Sequence, residues 1–463
     1  MQTREVDVVV IGAGPVGENV ADRTTQAGLE TVIVEEELVG GECSYWACMP
    51  SKALLRPGAA LRQAQAVRGV EGGSLRVDDV LARRDSFAAN WDDSGQVEWL
   101  ESAGIELIRG RGRLAGPGAV RVDDLELRAR HAVVVATGSV AVVPDVPGLA
   151  EARPWTSREL TALERIPRRV AILGGGVVAV EAATLLADLG AEVTLVARSR
   201  LLRRMESFAG EAVRDALVAR GVDVREETGV SRVARDGGGV RVALDDGSEI
   251  LADEIVVATG RRPATDDIGL ETVGLTPGEW IDVDDALRAT GAEGLVATGD
   301  VTGRALLTHQ GKYDARIAGD AIAARAAGEA LDDAPWGRHV ATADGVAVPQ
   351  VVFSDPEVAS VGITAREAEE RGIRSRVIDY DLANVAGAAL QAEGFAGRVR
   401  AVVDEERRVI VGLTLVGPGV GELLHAATIA IVGEVTLDRL WHAVPAYPTV
   451  SEFWLRLLEE HGL

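Results

Sequence analysis

The cysteines of this 463-residue chain are confined to one short segment, since Cys43 and Cys48 are the only two. Two thiols five positions apart can close a small disulfide loop where the backbone turns. Such a dithiol takes up two electrons and passes them on by thiol–disulfide exchange. A metal site is the competing interpretation, but two cysteines without a nearby histidine or a second cysteine pair fall short of four tetrahedral ligands. We therefore expect redox chemistry and no metal.

A lysine follows the second cysteine closely. Lys52 lies four residues after Cys48, and Lys312 is the only other lysine. Arginine carries the rest of the positive side-chain charge. A lysine in this position of an arginine-rich chain indicates that its ammonium group is needed beside the thiols.

A strand–glycine turn–helix unit precedes the cysteines and must position them. The apolar run 6–11 predicts a buried parallel strand, and a helix should extend to about Ala27. A second strand, 31–34, ends at Glu35. The turn between the first strand and the helix carries three spaced glycines, Gly12, Gly14 and Gly17. This order is typical of a βαβ unit that holds a dinucleotide pyrophosphate at the helix N-terminus.

The same unit occurs a second time. An apolar run, 170–173, precedes a helix to about Leu189 and a strand at 193–196. Its turn carries small residues at the matching positions, Gly174, Gly176 and Ala179. Two such units predict two dinucleotide sites, whereas the competing interpretation is two glycine-rich turns without a ligand.

The residues after the second strands differ between the two units. Glu35 can accept hydrogen bonds from the hydroxyls of an unphosphorylated ribose, which favours FAD in the first unit. In the second unit Ala197 takes that position, and Arg198 and Arg200 follow. Guanidinium groups pair with a 2′-phosphate, so we expect NADPH there in preference to NADH. Ordinary surface charge is the alternative for these two arginines.

The segment 40–52, Gly-Gly-Glu-Cys-Ser-Tyr-Trp-Ala-Cys-Met-Pro-Ser-Lys, resembles the redox-disulfide signature of the FAD-dependent pyridine nucleotide–disulfide oxidoreductases. Dihydrolipoamide dehydrogenase, glutathione reductase and mercuric reductase belong to that family. Further matches lie in order along the chain, at residues 136–138, 258–263, 298–301, 348–357 and 416–419.

The resemblance implies roles for individual residues. Cys48 would face the flavin, Cys43 would attack the substrate, and Lys52 would lie near flavin N5, paired with Glu181. Asp300 would bond the ribityl chain, and Gly112 would lie near the adenine. Three residues within the matched motifs would also contact the cofactors: Thr137, Gly138 and Gly260.

The chain departs from the family near its C-terminus. The family signature carries a catalytic histidine and an orienting glutamate, supplied across a dimer interface. Here the glutamate is Glu452, but Tyr447 takes the histidine position, and tyrosine is a poor base at neutral pH. His442 is an alternative acid–base group or an ordinary histidine. Tyr45 and Trp46 lie between the cysteines, where they either border the substrate or pack against the flavin domain.

Composition agrees with a packed multidomain protein. The hydrophobic fraction is 47% and the net charge −24, so neither a nucleic acid nor an anionic membrane is an expected partner. The N-terminus shows no signal-peptide pattern, and we expect a cytosolic protein. The predicted fold is α/β, with two Rossmann-like dinucleotide-binding domains and a C-terminal α+β dimerisation domain. The expected segments are FAD-binding 1–150, NAD(P)H-binding 151–265, FAD/central 266–340 and interface 341–463.

We therefore predict a homodimeric NADPH oxidoreductase in which electrons pass through FAD and the Cys43–Cys48 disulfide to a small-molecule acceptor, such as a disulfide. One alternative is an NAD(P)H-dependent reductase of quinones or other acceptors that uses the flavin directly. The other is a non-catalytic flavin redox sensor. The sequence does not identify the acceptor.

Overall fold

The computed structural model describes residues 2–463. The strands are β1 Gln2–Ile11, β2 Thr31–Glu35, β3 Glu106–Arg109, β4 Arg113–Leu114, β5 Ala119–Val122, β6 Leu125–Val135, β7 Ser139–Ala141, β8 Arg169–Leu173, β9 Glu192–Val196, β10 Asp223–Arg225, β11 Val230–Asp236, β12 Gly239–Leu244, β13 Glu249–Ala252, β14 Glu254–Val257, β15 Arg261–Pro263, β16 Leu295–Ala297, β17 Gln350–Val352, β18 Glu357–Gly362, β19 Ser375–Asp381, β20 Arg398–Asp404 and β21 Val409–Gly417. The helices are α1 Pro15–Gln26, α2 Gly41–Tyr45, α3 Cys48–Gln65, α4 Val77–Phe87, α5 Ser94–Ser102, α6 Ser157–Thr161, α7 Val177–Asp188, α8 Ser207–Ala219, α9 Thr308–Ala326, α10 Ala365–Glu370, α11 Ala386–Ala389, α12 Leu424–Val432, α13 Leu437–Leu440 and α14 Phe453–His461.

Two compact units divide the chain. The first comprises Met1–Pro50, Asp85–Ala141 and Arg261–Gly345, and the second comprises Ser51–Arg84, Val142–Gly260 and Val346–Leu463. The breaks after Ala141 and Gly260 fall within ten residues of two predicted boundaries. The predicted four-segment division itself stays a prediction.

The first unit is built on a sheet ordered β3-β2-β1-β6-β5-β4, with β16 also paired to β6. Strands β3, β2, β1, β6 and β16 run parallel to one another, whereas β5 is antiparallel to both β4 and β6. Val9 and Ile11 pack into one core cluster, and Val8 and Val10 pack into another. Both faces of the sheet are therefore covered, which explains the uninterrupted apolar run in β1.

The second unit contains a parallel sheet ordered β10-β9-β8-β14 and an antiparallel sheet ordered β11-β12-β13. Helix α7 lies almost wholly in the core, since eight of its twelve residues are buried. Both predicted βαβ units are therefore present, with boundaries within one residue of expectation in most elements.

The C-terminal part of the second unit is an antiparallel sheet ordered β17-β18-β21-β20-β19. Residues of α12 and α14, among them Ala427 and Phe453, share a core with Leu415 of β21. This arrangement confirms the predicted α+β class. Among residues 2–463, no helix has the length and apolar character needed to cross a bilayer.

Candidate functional site

The first glycine turn combines two tightly packed positions with one open position. Gly12 has φ +103°, and a Cβ there would lie 2.5 Å from the Ala136 carbonyl oxygen. A Cβ on Gly17 would lie 1.9 Å from the Gly12 oxygen. Gly14 is the N-cap of α1, and no described atom lies within 4 Å of its Cβ position. Packing therefore requires Gly12 and Gly17, while Gly14 leaves the helix N-terminus open to a phosphate.

The acid at the end of β2 lies beside this turn. Glu35 Oε2 accepts a hydrogen bond from the Ala13 amide at 2.7 Å. Burial raises the pKa of the Glu35 carboxyl. A Cβ on Gly112 would lie 3.1 Å from Val34 Cγ1, so Gly112 adjoins the end of the same strand. The structure thus brings Glu35 and Gly112 to one edge of the parallel sheet.

Thr137, Gly138 and Asp300 also lie in the first unit. Thr137 Oγ1 donates to the Ala264 carbonyl at 2.9 Å, and Gly138 has φ +76°. The Ser139 hydroxyl donates to Asp300, whose pKa burial raises above its ordinary value. The Asp300 carboxyl is thus oriented by a neighbour that the sequence motif did not single out.

The second glycine turn repeats the arrangement of the first. Gly174 has φ +138°, and a Cβ there would lie 2.3 Å from the Ala258 carbonyl oxygen. Gly176 is the N-cap of α7 and has an open Cβ position, whereas Ala179 is fully buried. Gly260, with φ +142°, follows the strand that pairs with β8. The same division between packed and open positions supports a second dinucleotide site.

A positively charged cleft follows β9. It has a volume of about 780 Å³. Its lining residues are Arg198, Ser199, Arg200, Arg203, Arg204, Glu227 and Arg366. The two predicted arginines are therefore joined by three that the sequence did not indicate. Five guanidinium groups facing one carboxylate favour an anionic ligand.

The two cysteines lie on consecutive helices of the chain. Cys43 is within α2, and Cys48 is the first residue of α3. Both are partly buried, and they form no disulfide with each other in this structure. Cys48 Sγ lies 3.3 Å from Thr308 Oγ1 at the start of α9. The first turn of an 18-residue helix favours the thiolate form of a cysteine.

Of the two aromatic residues between the cysteines, Tyr45 has a structural role. Tyr45 is 2% exposed, and its hydroxyl donates to the Val39 carbonyl at 3.0 Å. Its ring meets Trp46 edge-on, with centroids 5.7 Å apart. Burial raises the pKa of Tyr45 to about 12. Of the two interpretations for Tyr45, the structure supports packing.

The second unit holds the predicted lysine–glutamate pair. Lys52 Nζ lies 2.7 Å from Glu181 Oε2. Glu181 is 6% exposed, and its other carboxylate oxygen accepts from the Phe353 amide at 3.0 Å. The ammonium also lies 5.0 Å from the centroid of the Phe353 ring. The charge of Glu181 is thus balanced and hydrogen-bonded, and the ammonium has an aromatic neighbour.

Tyr447 and Glu452 differ in their surroundings. Tyr447 is 76% exposed in the single chain, and His442 is exposed as well. Glu452 is 7% exposed, and within residues 2–463 its Oε2 atom has no hydrogen-bond partner. The single chain therefore does not enclose Tyr447 in a site.

Several contacting residues were absent from the sequence-based prediction: Ser139, Arg203, Arg204, Thr308, Phe353 and Arg366. Phe353 lies inside the recognised 348–357 stretch, so its motif could have indicated it. Thr308 and Arg366 carry no local signal, because distant parts of the chain bring them to their partners.

Comparison with known proteins gives consistent matches. Residues 6–327 match the family model described as pyridine nucleotide-disulphide oxidoreductase, and residues 348–457 match the dimerisation domain of that family. A dihydrolipoyl dehydrogenase from Thermus scotoductus is 33% identical, covering 96% of this chain and 95% of its own. A mercuric reductase from Shigella flexneri is 33% identical, covering 96% and 79%.

A solved structure is similar over the same length. The HOCl-induced flavoprotein disulfide reductase RclA from Escherichia coli superimposes with a TM-score of 0.84 at 25% identity. The match covers 98% of this chain and 99% of that one.

Proposed function

Because the chain belongs to the pyridine nucleotide–disulphide oxidoreductase family, we propose that it passes electrons from NADPH through FAD and the Cys43–Cys48 pair to a small-molecule acceptor. The acceptor is a disulfide or a related electrophile. The observation that carries the proposal is Cys48 at the start of α3, with its sulfur hydrogen-bonded to Thr308.

The first unit fits FAD. The open backbone at Gly14 leaves the N-terminus of α1 available to the pyrophosphate. Glu35 and Asp300 offer carboxylates to ribose and ribityl hydroxyls, and burial raises the pKa of each carboxyl. When bound, FAD supplies two-electron exchange between a nicotinamide and a dithiol.

The thiol steps conserve atoms and electrons. The Cys43 thiolate attacks one sulfur of the acceptor disulfide, which forms a mixed disulfide and releases one thiolate that takes up a proton. The Cys48 thiolate then attacks the Cys43 sulfur, which releases the second thiolate and restores the Cys43–Cys48 disulfide. The helix dipole of α3 and the Thr308 hydroxyl stabilise the charged form of Cys48 during this exchange.

Lys52 and Glu181 form the charged part of the proposed flavin environment. Glu181 and the Phe353 ring hold the Lys52 ammonium in place, where it would stabilise negative charge on a bound flavin. The Phe353 amide fixes the carboxylate in turn. These contacts pair the buried carboxylate with a partly buried ammonium, so that neither group is left without a partner.

NADPH rather than NADH is proposed because of the arginine cleft. Arg198 and Arg200 replace the acid that would accept a ribose hydroxyl, and Arg203 and Arg204 extend the same cleft. A 2′-phosphate would supply negative charge to neutralise these guanidinium groups.

A homodimer is proposed as the working form. The matched dimerisation domain supports it, and the single chain exposes apolar side chains beside Tyr447, including Val444 at 86% and Trp441 at 43%. Tyr447 and Glu452 of one protomer would then border the acceptor site of the other. A cytosolic location is part of the same proposal, because a reducing compartment keeps the dithiol available.

Anaerobic titration with NADPH tests the dithiol relay. The wild-type enzyme should consume one equivalent of NADPH more per flavin than Cys43→Ser or Cys48→Ser before the flavin is bleached. Cys43→Ser should retain the long-wavelength absorbance of a thiolate beside flavin, and Cys48→Ser should lack it. Ser44→Ala, between the two cysteines, is the matched control and should resemble the wild type.

Steady-state assays separate the thiol route from direct flavin chemistry. Cys43→Ser should abolish disulfide reduction while NADPH-dependent quinone reduction persists. Survival of both activities in Cys43→Ser, or equal NADPH uptake by all four proteins, would contradict the proposed relay.

A further inference from the structure

The arginine cleft includes one residue from far along the sequence. Arg198 to Arg204 follow β9, whereas Arg366 lies in α10, within the stretch that matches the dimerisation domain. We propose that Arg366 is an additional specificity-determining residue that binds the 2′-phosphate of NADPH. The inference rests on the proposed use of NADPH and adds a phosphate contact from outside the nucleotide-binding segment.

The position of Arg366 is fixed by the start of its helix. Thr364 and Glu367 form a capping box, in which the Glu367 carboxylate accepts from the Thr364 amide at 2.8 Å. The next amide, of Ala365, donates to Glu206 Oε1 at 2.7 Å. Glu206 is the N-cap of α8. The residue before Arg366 is therefore tied directly to the segment that carries the other four arginines.

The Glu206 carboxylate, which accepts a hydrogen bond from the Ala365 amide, is neutralised by an arginine outside the cleft, Arg400. Glu206 is 7% exposed, and its Oε2 accepts from Arg400 Nη1 at 2.8 Å. Arg400 also contacts Asp379 and lies 5.3 Å from the centroid of the Phe208 ring. Because Arg400 balances Glu206, the tether does not consume the charge of the cleft arginines.

Few carboxylates of the protein balance the positive charge of the cleft arginines. Within residues 2–463, no carboxylate lies within the 4.0 Å ion-pair distance of Arg198, Arg200, Arg203 or Arg204. Arg366 has one partner, Glu370, at 3.6 Å, and both side chains are more than half exposed. Exposed pairs of this kind contribute little free energy, so a phosphate dianion can compete for Arg366.

Binding of nucleotide fragments provides a test that does not depend on turnover. The flavin-loaded protein is titrated with adenosine 2′,5′-bisphosphate and with 5′-AMP by calorimetry. Arg366→Met should raise the Kd for the bisphosphate about tenfold, as expected for one charge-assisted contact, and should move the Kd for 5′-AMP far less. The KM for NADPH should rise in parallel, with a much smaller change for NADH.

Two comparisons decide the interpretation. Arg371→Met, at the end of the same helix but outside the cleft, is the control and should bind both fragments as the wild type does. If Arg198→Met weakens bisphosphate binding and Arg366→Met does not, the inference about Arg366 fails while NADPH use stands. If the wild type does not prefer the bisphosphate over 5′-AMP, both proposals fail.

Discussion

Glu18, on α1, should make the stability of this protein depend on pH. Its side chain is 9% exposed, and within residues 2–463 its Oε1 atom has no hydrogen-bond partner. Burial, partly offset by Lys312 and reinforced by Glu35, raises the pKa of the carboxyl from 4.5 to about 7. The folded state thus holds the proton more tightly than the unfolded chain does.

The sign and size of the effect follow from linkage. The neutral carboxyl stabilises the folded state fully below about pH 4.5, and this contribution is lost as pH rises through about 7. A shift of this size corresponds to about 3 kcal/mol at about 1.4 kcal/mol per pH unit. The Glu18→Gln side chain remains neutral at every pH. The free energy of unfolding of this variant, measured relative to that of the wild type, should therefore rise by about 3 kcal/mol between about pH 4.5 and about pH 8.

Urea denaturation of the two flavin-loaded proteins across this range measures the difference directly. Groups common to both proteins, such as Asp314, whose pKa is raised by burial and by the neighbouring Asp344, cancel in the comparison. Glu5→Gln, at an exposed site, is the matched control. Its free energy of unfolding should differ from that of the wild type by a nearly constant amount across this pH range. A pH-independent difference between Glu18→Gln and the wild type would refute the assigned ionisation.

Two further sets of variants test the packing of the site. Gly17→Ala should lower the free energy of unfolding by at least ~2 kcal/mol in urea denaturation, because its Cβ would lie 1.9 Å from a carbonyl oxygen. Gly14→Ala, at an open position, should fold normally yet lose flavin on dialysis; equal stability losses in both variants would contradict this division. Glu181→Gln should cost about 2 kcal/mol in the same assay, since it removes the charge partner of the partly exposed Lys52, and an unchanged midpoint would show that the pair adds no stability.

The sequence indicated the dinucleotide turns accurately because their requirements are local. Gly12 and Gly174 have positive φ, and each lies in sequence between a strand and a helix only a few residues away. Only their close approach to Ala136 and Ala258 depends on distant segments. The continuous apolar strands likewise follow from burial on both faces of one sheet. The family matches confirm the fold class and the resemblance that these motifs carried.

Contacts between distant segments could not be predicted from the sequence in the same way. Thr308 reaches Cys48 across 260 positions, and Phe353 reaches Glu181 across 172. No spacing rule links such pairs, because the intervening chain folds into separate elements. Tyr45 shows the same limit, since only its burial and its bond to Val39 favoured packing over substrate contact.

By itself, therefore, the sequence determined the two βαβ units, the paired thiols and the exchange of an acid for arginines after β9. Each of these is set by residue type over a short stretch, where steric and electrostatic requirements are local. Tertiary structure alone decided the size of the arginine cleft, the contacts of Phe353 with Lys52 and Glu181, and the burial of Glu18. These features depend on which distant surfaces meet, and that is settled by packing of the whole chain.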